Sequence, residues 1–102
     1  MGWSYSAVAG RVMDALTKAC RASTGSVNTW KHSRGESFWE TDRIEHDDGS
    51  ITGDVWDCLG AGGTAVGGTC VNRREFRIDG RTGKLTGDAA RALRVLLMRG
   101  AA

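Results

Sequence analysis

The chain has 102 residues, 40% of them hydrophobic and 25% charged, with a formal net charge of +2. That length gives one domain around one core and excludes a second, and no apolar run approaches the ~18 residues that a membrane-spanning helix needs. The small net charge conceals a separation. Residues 36–57 set eight carboxylates against one base, Arg43, whereas residues 1–35 carry five Lys/Arg against Asp14 and residues 59–102 carry eight Lys/Arg against three acids.

The opening segment Met1-Gly2-Trp3-Ser4-Tyr5-Ser6 has neither a basic stretch nor a long apolar one, so it does not read as a secretory signal and a cytoplasmic protein is expected. From Ser4 to about Arg21, Tyr5, Val8, Val12, Leu16 and Cys20 recur at three and four residues beside Ala15 and Ala19, the spacing of one helix face. Ser23-Thr24-Gly25-Ser26 predicts a stop near Ala22.

A short strand is predicted over Val27–His32, then a turn at Ser33-Arg34-Gly35, then a hairpin of Ser37–Glu45 and Ile51–Leu59 around Asp48-Gly49. With a two-residue turn, Ile44 pairs with Gly53, Asp42 with Val55 and Phe38 with Leu59. One face then collects Phe38, Ile44, Ile51, Val55 and Leu59. The other carries Trp39, Thr41, Arg43, Asp54, Trp56 and Cys58, with Arg43 opposite Asp54. A three-residue turn with Gly49 in a bulge is the rival; it shifts the pairing by one. Residues 59–69, rich in glycine, are expected to be a flexible loop within the single 1–102 domain. A strand over Thr69–Ile78, a reversal at Asp79-Gly80-Arg81-Thr82-Gly83, a short strand at Lys84-Leu85-Thr86 and a helix from Ala89 to about Arg99, capped by Asp88, complete the chain. The fold class is α+β: an antiparallel meander of four to five strands flanked by an N-terminal and a C-terminal helix.

Among candidate sites the acidic hairpin leads. Glu40, Asp42, Asp47, Asp48, Asp54 and Asp57, with Trp39 and Trp56, offer a rigid, charged and aromatic ribbon to a basic partner surface. The same charges can instead solubilise a meander lying beside the basic strand that follows. Direct nucleic-acid binding through Arg73, Arg74, Arg77 and Arg81 and the C-terminal helix is the alternative, opposed by the field of the acidic hairpin.

Three cysteines, Cys20, Cys58 and Cys70, are odd in number and without close spacing, and are expected as small buried hydrophobes in a reducing compartment. No pair among them and His32 and His46 has the spacing that pre-forms a zinc site. Glu45-His46-Asp47-Asp48-Gly49 matches no calcium loop, and Gly60-Ala61-Gly62-Gly63-Thr64-Ala65 lacks the helix that a nucleotide loop opens. Clustered Asp and Glu can hold Mg²⁺ with oxygen ligands, which leaves a metal-dependent hydrolase as a further class, but no catalytic residue, metal or cofactor is expected. Leu93, Val95, Leu96, Leu97 and Met98 cover more than half of the last helix, which leaves a homodimer through Leu93, Leu96 and Leu97 open.

The stretches Ala19-Cys20-Arg21-Ala22-Ser23-Thr24-Gly25-Ser26, Ser37-Phe38-Trp39-Glu40 and Glu45-His46-Asp47-Asp48-Gly49-Ser50-Ile51-Thr52-Gly53 resemble the compact accessory proteins of phages and other mobile elements, some of which are similar in size and α+β make-up to inhibitors of bacterial CRISPR defence. The resemblance carries over no site residue. It implies stoichiometric blockade of a host nucleoprotein or nuclease complex, often by an acidic surface that occupies a nucleic-acid groove.

Overall fold

A computed structural model describes residues 4–59 and 69–101. The Gly-rich loop expected over 59–69 falls, for residues 60–68, outside the described residues, as does Trp3. Helix α1 spans Ser4–Thr24 and helix α2 spans Ala90–Ala101; between them lie β1 (Thr29–His32), β2 (Gly35–Trp39), β3 (Ile44–Glu45), β4 (Ile51–Leu59), β5 (Thr69–Ile78) and β6 (Leu85–Thr86). The expected α+β class is found, with two helices flanking an antiparallel sheet. The sheet has six strands rather than four or five. Its order is β1-β2-β4-β5-β6, and β3 pairs with β4 off this path.

Both helices press on one face of the sheet. Ala9, Met13, Leu16, Ala19 and Cys20 from α1 and Ala89, Ala90, Leu93 and Leu96 at α2 form one core with Trp30, Trp39, Ile51, Val55, Phe76, Ile78 and Leu85. The buried stripe of α1 is rotated from the expected one: Ala9 and Met13 join Leu16 and Cys20, and Ala15 is exposed. The helices meet closely, and a Cβ on Gly100 would sit 2.7 Å from that of Ala19. Helix α1 runs two residues past Ala22 and ends at Gly25, whose φ of 82° and amide bond to the Arg21 carbonyl (2.9 Å) make a left-handed cap. Burial pushes the Cys20 thiol up to about 12.

The preferred hairpin register is not the one adopted. The His46 amide donates to Ser50 O and the Gly49 amide to His46 O, each at 2.9 Å, and Gly49 has a φ of 87°. This is a three-residue turn with a left-handed glycine, the rival form, and it pairs Ile44 with Thr52. Further along neither register holds: the three-residue turn continued would bring Trp39 opposite Asp57, but Phe38 pairs with Trp56, Trp39 with Val55 and Ser37 with Asp57. Four residues, Glu40–Arg43, thus stand where β4 supplies only Gly53 and Asp54, and the single strand expected over Ser37–Glu45 splits into β2 and β3.

The change of pairing parity turns side chains over. Trp39 is in the core, 2% exposed, with its ring centroid 5.7 Å from that of Trp30. Phe38 and Trp56 lie together on the opposite face, and Ile44, expected inside, is 60% exposed. Arg43 does not meet Asp54; its guanidinium donates to Thr41 O at 3.3 Å, because it rides on the looped-out segment.

Cys58 and Cys70 are not separate hydrophobes. They face each other across β4 and β5 at a Cα separation of 4.2 Å and form a disulfide. Asp88 does not cap α2: Ala89 N donates to Glu75 O and Ala90 N to Gly87 O. Gly80 allows the 79–83 turn to pack on the hairpin turn, since a Cβ there would collide with the Gly49 carbonyl carbon and lie 2.6 Å from Asp48 O. Leu93 and Leu96 are core residues and Leu97 is partly buried against them; Val95 and Met98 are exposed apolar residues of α2.

The register makes a direct demand on stability. Trp39→Ala is expected to cost about 3–5 kcal/mol in urea unfolding, and Phe38→Ala only about 1 kcal/mol, the reverse of what the Phe38-inward register requires.

Candidate functional site

The carboxylates of the acidic segment divide into those that are neutralised and those that are not. Asp54 pairs with Arg73 at 3.0 Å, Asp57 with Arg74 at 2.7 Å and Asp48 with Arg77 at 2.7 Å. The antiparallel pairing of β4 with β5 causes this, because it lays the basic run 73–77 along the acidic strand. Two groups of residues proposed as alternative sites are therefore each other's counter-ions. The Asp48 pair is solvent-exposed and the Asp54 pair partly so, and water and salt screen both.

Glu40, Asp42, Glu45 and Asp47 are exposed and make no ion pair among the described residues. Glu40 and Asp42 line, with Arg43 and the exposed Ile44, a depression of about 460 Å³ that also touches His46, Asp54 and Arg73, whereas Glu45 follows Ile44 on β3 and alternation turns it to the other face. Trp39 is not available to a partner. Trp56 is half-buried on the helix-free face, and its Nε1 has no hydrogen-bond partner. Arg81 is exposed at the tip of the 79–83 turn.

A second cluster was missed by sequence reasoning. Asp57, 7% exposed, points to the helix side of the sheet. It accepts from Ser37 Oγ at 2.8 Å, from Arg74 at 2.7 Å and from Asn72 Nδ2 at 3.3 Å. Asn72 reaches it from a β-bulge in β5, where φ is 57°, in the left-handed region that Asn tolerates. His32 Nε2 lies 2.9 Å from Ser37 Oγ, and the Arg34 amide donates to His32 Nδ1 at 3.2 Å. Since Nδ1 is an acceptor, this network assigns the ring proton to Nε2, and the chain runs His32 Nε2–H to Ser37 O–H to Asp57. That polarity is opposite to a serine activated by histidine: the imidazole donates to the hydroxyl instead of taking its proton, and Ser37 is buried. The arrangement orders the β1–β2 end and holds Arg74 in place. Only the pairing of Ser37 with Asp57 could have revealed it, and that pairing follows from the register the sequence did not favour.

This network floors a cleft of about 350 Å³ between the β1–β2 turn and α2. Arg91, Val95 and Arg99 face it from α2 at spacings of four residues, and Arg34 faces it from the turn. Arg99 also donates to Lys31 O at 2.7 Å, which ties the end of α2 to β1. Among the described residues no group of three His, Cys, Asp or Glu side chains converges as a metal centre would require.

Removing the Asp57 carboxylate orphans Arg74, so Asp57→Ala is expected to lose about 3 kcal/mol, near the low end for a buried pair because Arg74 is 31% exposed; adding Arg74→Met to it should restore part of that loss in the same denaturation assay. Two turn carboxylates contribute to the acid limb. The Ser50 hydroxyl and amide, with Arg77, hold Asp48 below its ordinary range, and the Thr82 and Arg81 amides do the same for Asp79. A depressed native pKa contributes stability above the unfolded value of about 3.9, lost as pH falls through the native one, so Asp48→Asn and Asp79→Asn should flatten the fall in stability below about pH 4.

Comparison with known proteins gives no family model, no curated protein and no solved structure that matches this chain.

Proposed function

We propose that the chain is a non-enzymatic protein-binding module whose looped-out edge, residues 40–47, docks on a basic surface of a nucleic-acid-handling complex. One observation carries this reading: Glu40, Asp42, Glu45 and Asp47 keep exposed charge with no ion pair among the described residues along the segment that bears the exposed Ile44, while Asp48, Asp54 and Asp57 are paired with arginines of β5. An exposed apolar side chain on a segment of net negative charge gives a short-range contact inside a long-range field, the combination that speeds and then holds association. Asp48, Asp54 and Asp57 leave the proposed contact because each already has an arginine. Trp39 leaves it because it is core, and Trp56 stays as a neighbour on the helix-free face.

The resemblance to phage and mobile-element accessory proteins supplies the partner class: a bacterial defence complex of CRISPR type, whose groove for phosphates is lined with Arg and Lys. The action is stoichiometric occupation of that groove, in the host cytoplasm. No helix of the described residues is long and apolar enough to cross a membrane. A cytoplasmic setting stands against the Cys58–Cys70 bond, which a reducing poise opposes.

The nucleic-acid reading loses most of its basic strand, since Arg73, Arg74 and Arg77 are ion-paired, and it falls back on Arg81 and the arginines of α2. Capture of the tagged protein's partners from bacterial lysate, with nuclease treatment and at low and high salt, separates the two. A nucleic-acid-handling complex that survives nuclease, is lost in high salt and is lost on reversing Glu40, Asp42, Glu45 and Asp47 to lysine is the expected result. Binding indifferent to salt and to those reversals removes the proposal, and a signal carried by nucleic acid alone moves it to the arginines.

A further inference from the structure

We infer that the cleft between the β1–β2 turn and α2 is a binding site for a phosphate group, borne by a small molecule. The cleft lies on the helix-covered side of the sheet, independent of the acidic edge, and its chemistry is that of an anion receptor. Arg34, Arg74, Arg91 and Arg99 line it against the carboxylates of Asp57 and Asp88, with His32 neutral, so the lining carries a surplus of two positive charges.

The guanidinium groups differ in how far they are already used. Arg34 and Arg91 make no side-chain hydrogen bond or ion pair among the described residues, and Arg99 spends one donor on Lys31 O. Arg74 is aimed by Asp57 through one terminal nitrogen, while its buried Nε has no hydrogen-bond partner among the described residues. A buried donor left unsatisfied is costly and calls for an explanation, an ion or a water among them. Asp57 itself is fully engaged by Ser37, Asn72 and Arg74, so the carboxylate that would repel an anion is instead the anchor that points Arg74.

Phosphate fits better than a carboxylate because the donors come from three directions: Arg34 from a turn, Arg74 from β5, and Arg91 with Arg99 from α2. A carboxylate accepts in one plane, whereas three phosphate oxygens accept from converging sides and carry the second negative charge that the surplus calls for. The wall next to the arginines is apolar, formed by Trp30, Ala92 and Val95, and the volume of about 350 Å³ exceeds that of a bare phosphate. That extra room is where the organic part of a phosphate ester would lie.

The test is a calorimetric and amide-shift titration of the full chain with inorganic phosphate and with adenosine 5′-monophosphate at constant ionic strength. Saturable binding is expected, with the largest shifts at residues 32–34 and 91–99. Arg34→Glu and Arg91→Glu should each weaken binding at least tenfold, while Arg81→Glu, at a distant turn, should leave it within twofold. Arg34 and Arg91 have no structural partners to lose, so these variants remain folded and their loss of binding reads on the cleft. Tighter binding of the nucleotide than of phosphate identifies a phosphate ester as the occupant, and equal binding identifies free phosphate. Absence of saturation, or equal effects of Arg34→Glu and Arg81→Glu, overturns the inference.

Discussion

The packing of Trp39 against Trp30 is the contact on which the rest of this structure depends. With the two rings 5.7 Å apart under the helices, Trp39 must sit opposite Val55, and every residue of β2 then has its face assigned. Ser37 falls inward over Asp57, and Phe38 falls outward over Trp56. The hairpin turn makes a separate demand, because its left-handed Gly49 sets Ile44 opposite Thr52. A continuous ladder cannot satisfy both. The chain resolves the conflict by letting Glu40–Arg43 leave the sheet, and four backbone units exposed to water cost far less than an indole without its core site.

Charge follows from the same topology. Antiparallel neighbours bring oppositely charged runs side by side, so the strong separation along the chain becomes local neutralisation across β4 and β5. What remains unneutralised lies where the ladder fails: acids on the looped-out edge, and arginines at the β1–β2 turn and along α2. The molecule thus presents two surfaces of opposite sign, one on the open edge and one in a cleft beneath the helix. Neither surface shares a side chain with the other, so each can bind without disturbing the other's charge balance.

Asp57 shows how a buried charge is made tolerable and then useful. Three donors satisfy it, one of them delivered by a bulge that places Asn72 in a left-handed conformation. The same carboxylate fixes the direction of Arg74 and, through Ser37, of His32. Structural satisfaction and site geometry are here one set of bonds.

The sequence by itself determined the α+β class, the bounds of β4 and β5 and the placing of a helix at each end, because these are local: alternation, helical spacing and Asp-Gly turns act within a few residues. It also determined the charge segregation. It did not determine the β2–β4 register, the faces of Phe38, Trp39 and Ile44, the pairing of Cys58 with Cys70, or the joining of His32, Ser37, Asp57 and Arg74. Each of these brings together residues distant along the chain. The choice among registers that differ by one residue rests on how a tryptophan fills the space under two helices, a quantity set by three-dimensional packing and absent from any local pattern.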